Sequence, residues 1–186
     1  MSDDSDSCPD GTEGEPPQIR PAGLISVDVI ENGGDWTAIP EVVAAVRVAA
    51  EAAARITESG LSGVSAAVAL SDDAEVAALN ASYRGKASST NVLSFPARQG
   101  LHASGQQGFI GDIILAAETV MREAEDLAVP PRHHFQHLVV HALLHLSGFD
   151  HDGEAAAERM ETLETRILAT LAIPDPYAGA ELETRA

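Results

Sequence analysis

Residues 141–151, HALLHLSGFDH, hold three histidines at a spacing that suits one metal ion. On an α-helix His141 and His145 lie about 40° apart around the axis and about 6 Å along it, so both imidazoles reach a common point from one face. His151 cannot join them on a continuing helix, because six residues past His145 places it about 9 Å further along and on another side. Gly148 lies between them, and glycine accepts the left-handed backbone that ends a helix and turns the chain back. The spacing therefore predicts two ligands from a helix, a turn at Gly148 and a third ligand from the returning loop. Three neutral imidazoles suit Zn2+ or another borderline divalent ion, and three protein ligands leave a position open, as in catalytic rather than structural sites. An ion so held lowers the pKa of bound water to about 7, or polarises a carbonyl or phosphoryl oxygen. The alternative is a set of ordinary histidines on a half-buried helix. One i,i+4 pair would leave that alternative competitive; three histidines with a glycine at the required turn do not.

The same H-x-x-x-H-x-x-G-x-x-H spacing occurs in zinc metalloproteases of the metzincin type, which need Glu directly after the first histidine as general base. Here that residue is Ala142, which cannot accept a proton, so peptide hydrolysis becomes the second choice. A non-catalytic factor whose metal holds helix and loop together is a third reading. Arg84 and Lys86, in YRGK, are two cations close together in an otherwise acidic chain. They could hold phosphate, Arg as a bidentate fork and Lys as a point charge, or they could line a solvated turn. His137, one turn before His141, could stand behind the ligands or touch substrate. His102, His133 and His134 read as surface residues. Asp150 and Asp152 flank the third histidine, and either could orient an imidazole or act as base; Asp112 and Glu118 are weaker candidates. Thr90, Asn91 and Ser94 could bond to a site, but capping of a strand is the stronger reading. The spacing of Gly105, Gly108 and Gly111 is no phosphate-binding fingerprint, since it does not join a strand to a helix.

At 186 residues, with 45% apolar and 22% charged residues, the chain suits one globular domain with a real core. Aromatics are only 4%, so that core should be mostly aliphatic. The net charge is −18, with 29 acidic residues against 11 basic ones, and Lys86 is the only lysine. Such a surface argues against broad, non-specific coating of nucleic acid, though not against a local basic site. Cys8 is the single cysteine, so no intramolecular disulfide points to an oxidising compartment. There is no charged-then-apolar leader and no apolar run near the ~20 residues that span a bilayer, so a cytoplasmic location is expected.

Residues 1–23 are acidic, rich in Ser, Gly and Pro, and read as a disordered tail. Four β-type runs follow at 24–30, 64–70, 91–95 and 108–116. Helices read as Pro40 to about Ser59, a helix capped by Ser71–Asp72–Asp73 and running to about Tyr83, a segment around Val120 and Met121, a helix started by Pro130–Pro131 that carries the histidines, and 153–171. Residues 97–107 read as a mobile loop. On the last helix Glu154, Glu158, Glu161 and Glu164 read as a solvated face, and 173–186 as a frayed tail. Strands interleaved with helices indicate an α/β (α+β) domain over 24–172, one sheet with helices packed on it, of unread strand order.

Three segments together, LNASYRGKASSTNVLSFP (79–96), GDIILAAETVMREA (111–124) and HLVVHALLHLSGFDH (137–151), resemble the YbeY endoribonuclease/rRNA maturation factor family in order and spacing. The resemblance covers residues 24–172. It implies a bacterial, cytoplasmic, Zn2+-dependent endoribonuclease directed to single-stranded RNA. The family's role is in ribosomal RNA maturation, notably at the 3′ end of small-subunit RNA, and in ribosome quality control. The small subunit and its proteins are then the expected partners, with no membrane. It also implies a mixed four-stranded sheet, His141, His145 and His151 as metal ligands, and His141 and Arg84 as functional residues; Lys86 is a weaker helper at a phosphate on the reading of YRGK alone. The chain departs from the family pattern at Ala142 (usually Gly), at Phe149 (usually Tyr) and at Ala87, Ser88 and Ser89 (usually acidic and Pro residues). None of these is a ligand position.

Overall fold

The histidine helix is apolar on nearly every side, and a helix of that kind belongs inside a domain rather than on its surface. In the computed structural model, which describes residues 25–85, 88–97 and 108–178, that helix sits at the centre. It is α4, Pro131–Leu146, and it buries Phe135, Leu138, Val139, Val140, Ala142, Leu143, Leu144 and Leu146. It touches the other long helices α1 (Val42–Arg55) and α5 (Glu154–Thr170), the shorter α3 (Ala117–Asp126), and two strands of the sheet.

The sheet comprises β1 (Ser26–Glu31), β2 (Ser65–Ser71), β3 (Val92–Pro96) and β4 (Phe109–Ala116), in the spatial order β1-β2-β4-β3. β1 with β2 and β2 with β4 run parallel, whereas β3 pairs antiparallel on β4, so the sheet is mixed. Parallel neighbours need crossover helices, which α1 supplies between β1 and β2. Alternation assigns the faces. Val68, Leu70, Ile113 and Leu115 join the main core with α1, α4 and α5, while Ile114 and Ala116 face Val76 of α2 (Asp73–Arg84). Pro96 ends an edge strand, where its missing N–H costs no ladder bond. Gly111 allows that edge to close up, since a Cβ there would lie 2.3 Å from the Phe95 carbonyl oxygen and 2.9 Å from Leu146 Cδ2.

The core is aliphatic, as the composition implies: six buried alanines of α1 (Ala45, Ala49, Ala50, Ala52, Ala53 and Ala54) let neighbouring elements approach closely. Trp36 and Phe135 meet edge to face, ring centroids 5.4 Å apart. Helix α2 starts as its sequence indicates, Asp72 accepting from the Glu75 N–H at 2.8 Å.

Helix α1 is shorter than expected. It begins after Glu41, whose φ is +53°, and stops at Arg55 because Ile56 is extended; Thr57–Ser59 forms a separate 3-10 turn. The Ser59 hydroxyl is buried and donates to the Ala53 carbonyl at 2.8 Å, tying that turn back onto the helix. Beyond residue 172, Ile173 is buried, and the chain to Ala178 is described, with Tyr177 half-buried. The acidic tail, His102, Lys86 and nearly all of the 97–107 loop lie outside the described residues. Among the described residues no helix is long and apolar enough to cross a membrane.

Candidate metal centre

Burial of α4 leaves only part of its surface half-open, and His141 and His145 occupy that part. The helix then ends in a Schellman turn, in which the Gly148 N–H donates to the His145 carbonyl at 3.0 Å and the Phe149 N–H to the Leu144 carbonyl at 3.1 Å. Gly148 has φ +97°, the conformation that favours glycine, and nothing stands within 4 Å of where its Cβ would be. Phe149 packs against the core, which anchors the return of the chain. His151 comes back from this turn to stack on His141, centroids 5.2 Å apart and planes 18° apart. One ring nitrogen from each of His141, His145 and His151 lies within 4.8 Å of the others.

Two hydrogen bonds fix the ring orientations. His145 Nδ1 lies 2.9 Å from the Phe149 carbonyl oxygen, which can only accept. His141 Nδ1 lies 2.8 Å from Oε1 of Glu164. That carboxylate is fully buried, and its other oxygen takes His137 Nε2 at 2.9 Å together with the Tyr177 hydroxyl. Burial alone would push the Glu164 carboxyl up, but the donors from His137, His141 and Tyr177 outweigh it and hold the pKa at about 2, so Glu164 is ionised and only accepts. Burial and the Glu164 charge push the Tyr177 phenol well above its usual range, so it stays a donor.

Both Nδ1 atoms therefore carry the proton, and in neutral imidazoles the two Nε2 atoms are bare lone pairs. They face each other at 3.1 Å. Two lone pairs at that distance repel unless a cation lies between them, and two imidazole nitrogens bound to one tetrahedral ion stand about 3.3 Å apart. The donor set fits a divalent metal. Burial, then the neighbouring His141, lowers the pKa of His145, so this imidazole keeps its lone pair under more acidic conditions than a free histidine does.

The remaining candidates do other things. Asp152 N–H donates to Asp150 Oδ1 at 3.1 Å, so Asp150 shapes the exposed loop around His151. Glu118 accepts from the Asp73 N–H at 2.9 Å and helps cap α2; Asp112 is exposed on β4. Asn91 Oδ1 accepts from the Val92 N–H at 2.7 Å, a strand cap, and its Nδ2 donates to Glu123 at 2.8 Å. The same Glu123 oxygen meets His134 Nε2 at 2.9 Å; His134 is buried and not the surface residue expected, while His133 beside it is half-buried. Arg84 is the last residue of α2, which ends on left-handed Gly85. Ala142, where a protease of this spacing would need its base, is buried in the core.

Two residues of the centre escaped the sequence reading. Charge alone puts Glu164 on a solvated face with Glu154, Glu158 and Glu161, yet it is the one of the four that is fully buried. Its spacing was the available signal, four from Met160, three from Ile167 and four from Leu168, all core residues. Tyr177 lies beyond the prolines that end α5, where periodicity gives no signal.

Sheet, buried helix and histidine turn together define an α/β domain with a three-imidazole centre able to hold a metal ion. The family model described as Endoribonuclease YbeY matches residues 35–172. A protein of that name from Rhodopseudomonas palustris strain BisA53 is 50% identical over 148 residues, 78% of this chain and 86% of its own. One from strain CGA009 is 46% identical over 155 residues, 83% and 82% of the two chains. One from Chelativorans sp. strain BNC1 is 48% identical over 153 residues, 82% and 93%. The chain belongs to the YbeY family. The solution structure of TM1509 from Thermotoga maritima, at 20% identity, shares the fold with a TM-score of 0.52, covering 80% of this chain and 92% of the other.

Proposed function

We propose that this protein is a Zn2+-dependent endoribonuclease that cuts single-stranded RNA during ribosomal RNA maturation, at the 3′ end of small-subunit RNA, and serves ribosome quality control in the cytoplasm. The small ribosomal subunit and its proteins are the partners this reading implies. Family membership supports the RNA substrate. The facing Nε2 atoms of His141 and His145, 3.1 Å apart with both Nδ1 positions committed to acceptors, carry the metal dependence.

His141, His145 and His151 would hold the ion, which when bound supplies Lewis acidity toward a phosphodiester. Glu164 and the Phe149 carbonyl keep two of the rings turned toward it. Arg84 binds the scissile phosphate and offsets the charge that develops there, with Lys86 assisting. The acidic surface favours docking over a narrow area in place of wide RNA coating.

The test is metal analysis of the purified protein paired with cleavage of single-stranded RNA, with and without chelator. About one Zn2+ per chain and chelator-sensitive cutting is the expected result. Cutting that persists in metal-free protein would overturn the reading.

A further inference from the structure

The buried carboxylate of Glu164 has an arrangement that packing does not require. A hydrophobic side chain of similar volume would fill the space between α4 and α5 without the cost of desolvating a charge. What only an acceptor can do there is take the Nδ1 proton of His141, 2.8 Å away. Oε1 serves that bond, and Oε2 is held by two further donors, His137 from the preceding turn of α4 and Tyr177 from the segment after α5.

That segment is itself pinned. Asp175 Oδ1 accepts from the Thr165 hydroxyl at 3.0 Å and from the Tyr177 N–H at 2.9 Å, which folds the chain back along α5. The Tyr177 ring then stands nearly perpendicular to that of His137, centroids 5.8 Å apart and planes at 87°. Tyr177 lies outside the stretch 35–172 that the family model matches.

We propose that Tyr177 and His137 are positioning residues for the metal centre: by holding Oε2 of Glu164 they fix the carboxylate that locks His141 with its proton on Nδ1 and its bare Nε2 toward His145 and His151. The proposal rests on the metal reading above. The segment beyond α5 thereby becomes part of the centre, acting through two hydrogen bonds in series. Its effect is on the tautomer and orientation of one ring, which neither Tyr177 nor His137 touches through a ring-nitrogen hydrogen bond.

The experiment uses the full chain, 15N-labelled and stripped of metal. Histidine ring 15N shifts report which nitrogen of His141 carries the proton, and competition with a chromophoric chelator reports Zn2+ affinity. Wild-type protein should show His141 as a single Nδ1–H tautomer. Tyr177→Phe, which removes only a hydroxyl, should show a mixture of tautomers and bind Zn2+ about tenfold more weakly, the lower end of what outer partners of metal ligands contribute. Glu164→Gln offers an amide donor to His141 Nδ1, so it should invert the tautomer and lose about a hundredfold. Glu164→Asp should recover part of the affinity. Thermal melts separate the alternatives, because a purely structural role lowers the melting temperature and leaves tautomer and affinity unchanged.

If Tyr177→Phe keeps both wild-type tautomer and wild-type Zn2+ affinity, the proposal is overturned while the metal reading stands. If wild-type protein binds no Zn2+, the metal reading fails and the proposal falls with it, and a His141 tautomer that still shifts in Tyr177→Phe then shows only that the hydrogen bonds in series orient the ring. Should Glu164→Gln fail to fold, Tyr177→Phe alone decides.

Discussion

The ring nitrogen Nδ1 of His145 and the carbonyl oxygen of Phe149 are 2.9 Å apart, so the turn that ends α4 also fixes the second histidine of the centre. The same turn returns His151 to the stack on His141. Gly148 is the point on which both depend, at φ +97°. A Cβ there meets nothing within 4 Å, so the cost of Gly148→Ala is conformational, about 1–2 kcal/mol. In a domain of this size that lowers the melting temperature by about 2–8 °C. Zn2+ affinity should fall as well, because a relaxed turn frees His145 and displaces His151 together. Wild-type affinity in a correctly melting-shifted variant would remove the turn from the account.

Metal binding should appear as stability. A ligand at a hundred times its dissociation constant adds about 2.7 kcal/mol, which here corresponds to a rise in melting temperature of about 5–10 °C that chelator reverses. His151 is exposed, so His151→Ala should leave the metal-free melting temperature nearly unchanged, within about 0.5 kcal/mol, while abolishing most of the Zn2+-dependent rise. Differential scanning fluorimetry with and without Zn2+ measures both. A variant that keeps the full rise would exclude His151 as a ligand.

Arg84 closes α2, and alanine extends a helix as well as arginine does, so Arg84→Ala should fold and keep its metal. RNA cleavage should fall by about 10²–10³, the effect of removing one group that stabilises developing charge. Arg84→Lys should recover little, since an ammonium lacks the bidentate fork. Loss of metal from either variant would contradict the assigned role.

The histidine cluster is legible where its determinants are local. Two histidines four apart, a glycine three beyond and a third histidine three further on define a helix, a Schellman turn and a return within eleven residues. The order of the strands was not legible, because β2 against β4 and β3 on its outer side are set by pairings across long stretches of chain. The charge of Glu164 points to the surface, but its position on the stripe of Met160 and Ile167 takes it inside. His134 is polar but not at the surface, because α4 is covered on nearly all sides. Tyr177 was lost for a different reason. Prolines at 174 and 176 mark where α5 must stop, and nothing in that rule says where the chain goes next.

The start of α2 offers a prediction that concerns the scaffold alone. Asp73 accepts from the Thr119 hydroxyl at 2.7 Å, the Thr119 N–H at 3.1 Å and the Ser89 hydroxyl at 3.1 Å, joining α2, α3 and the approach to β3. Arg122 stands 3.8 Å away. Burial pushes the Asp73 carboxyl up, but these bonds and the Arg122 charge outweigh it and bring its pKa below the ordinary 3.8. A carboxyl whose folded pKa is depressed stabilises the fold fully above its unfolded value and loses that contribution as pH falls through the folded value. Asp73→Asn should therefore cost about 1–2 kcal/mol at neutral pH, and the gap from wild type should narrow only below about pH 4. Urea unfolding from pH 3 to pH 7 checks it. A gap that stays constant to pH 3 would mean that the asparagine loses packing and not the charged hydrogen bonds.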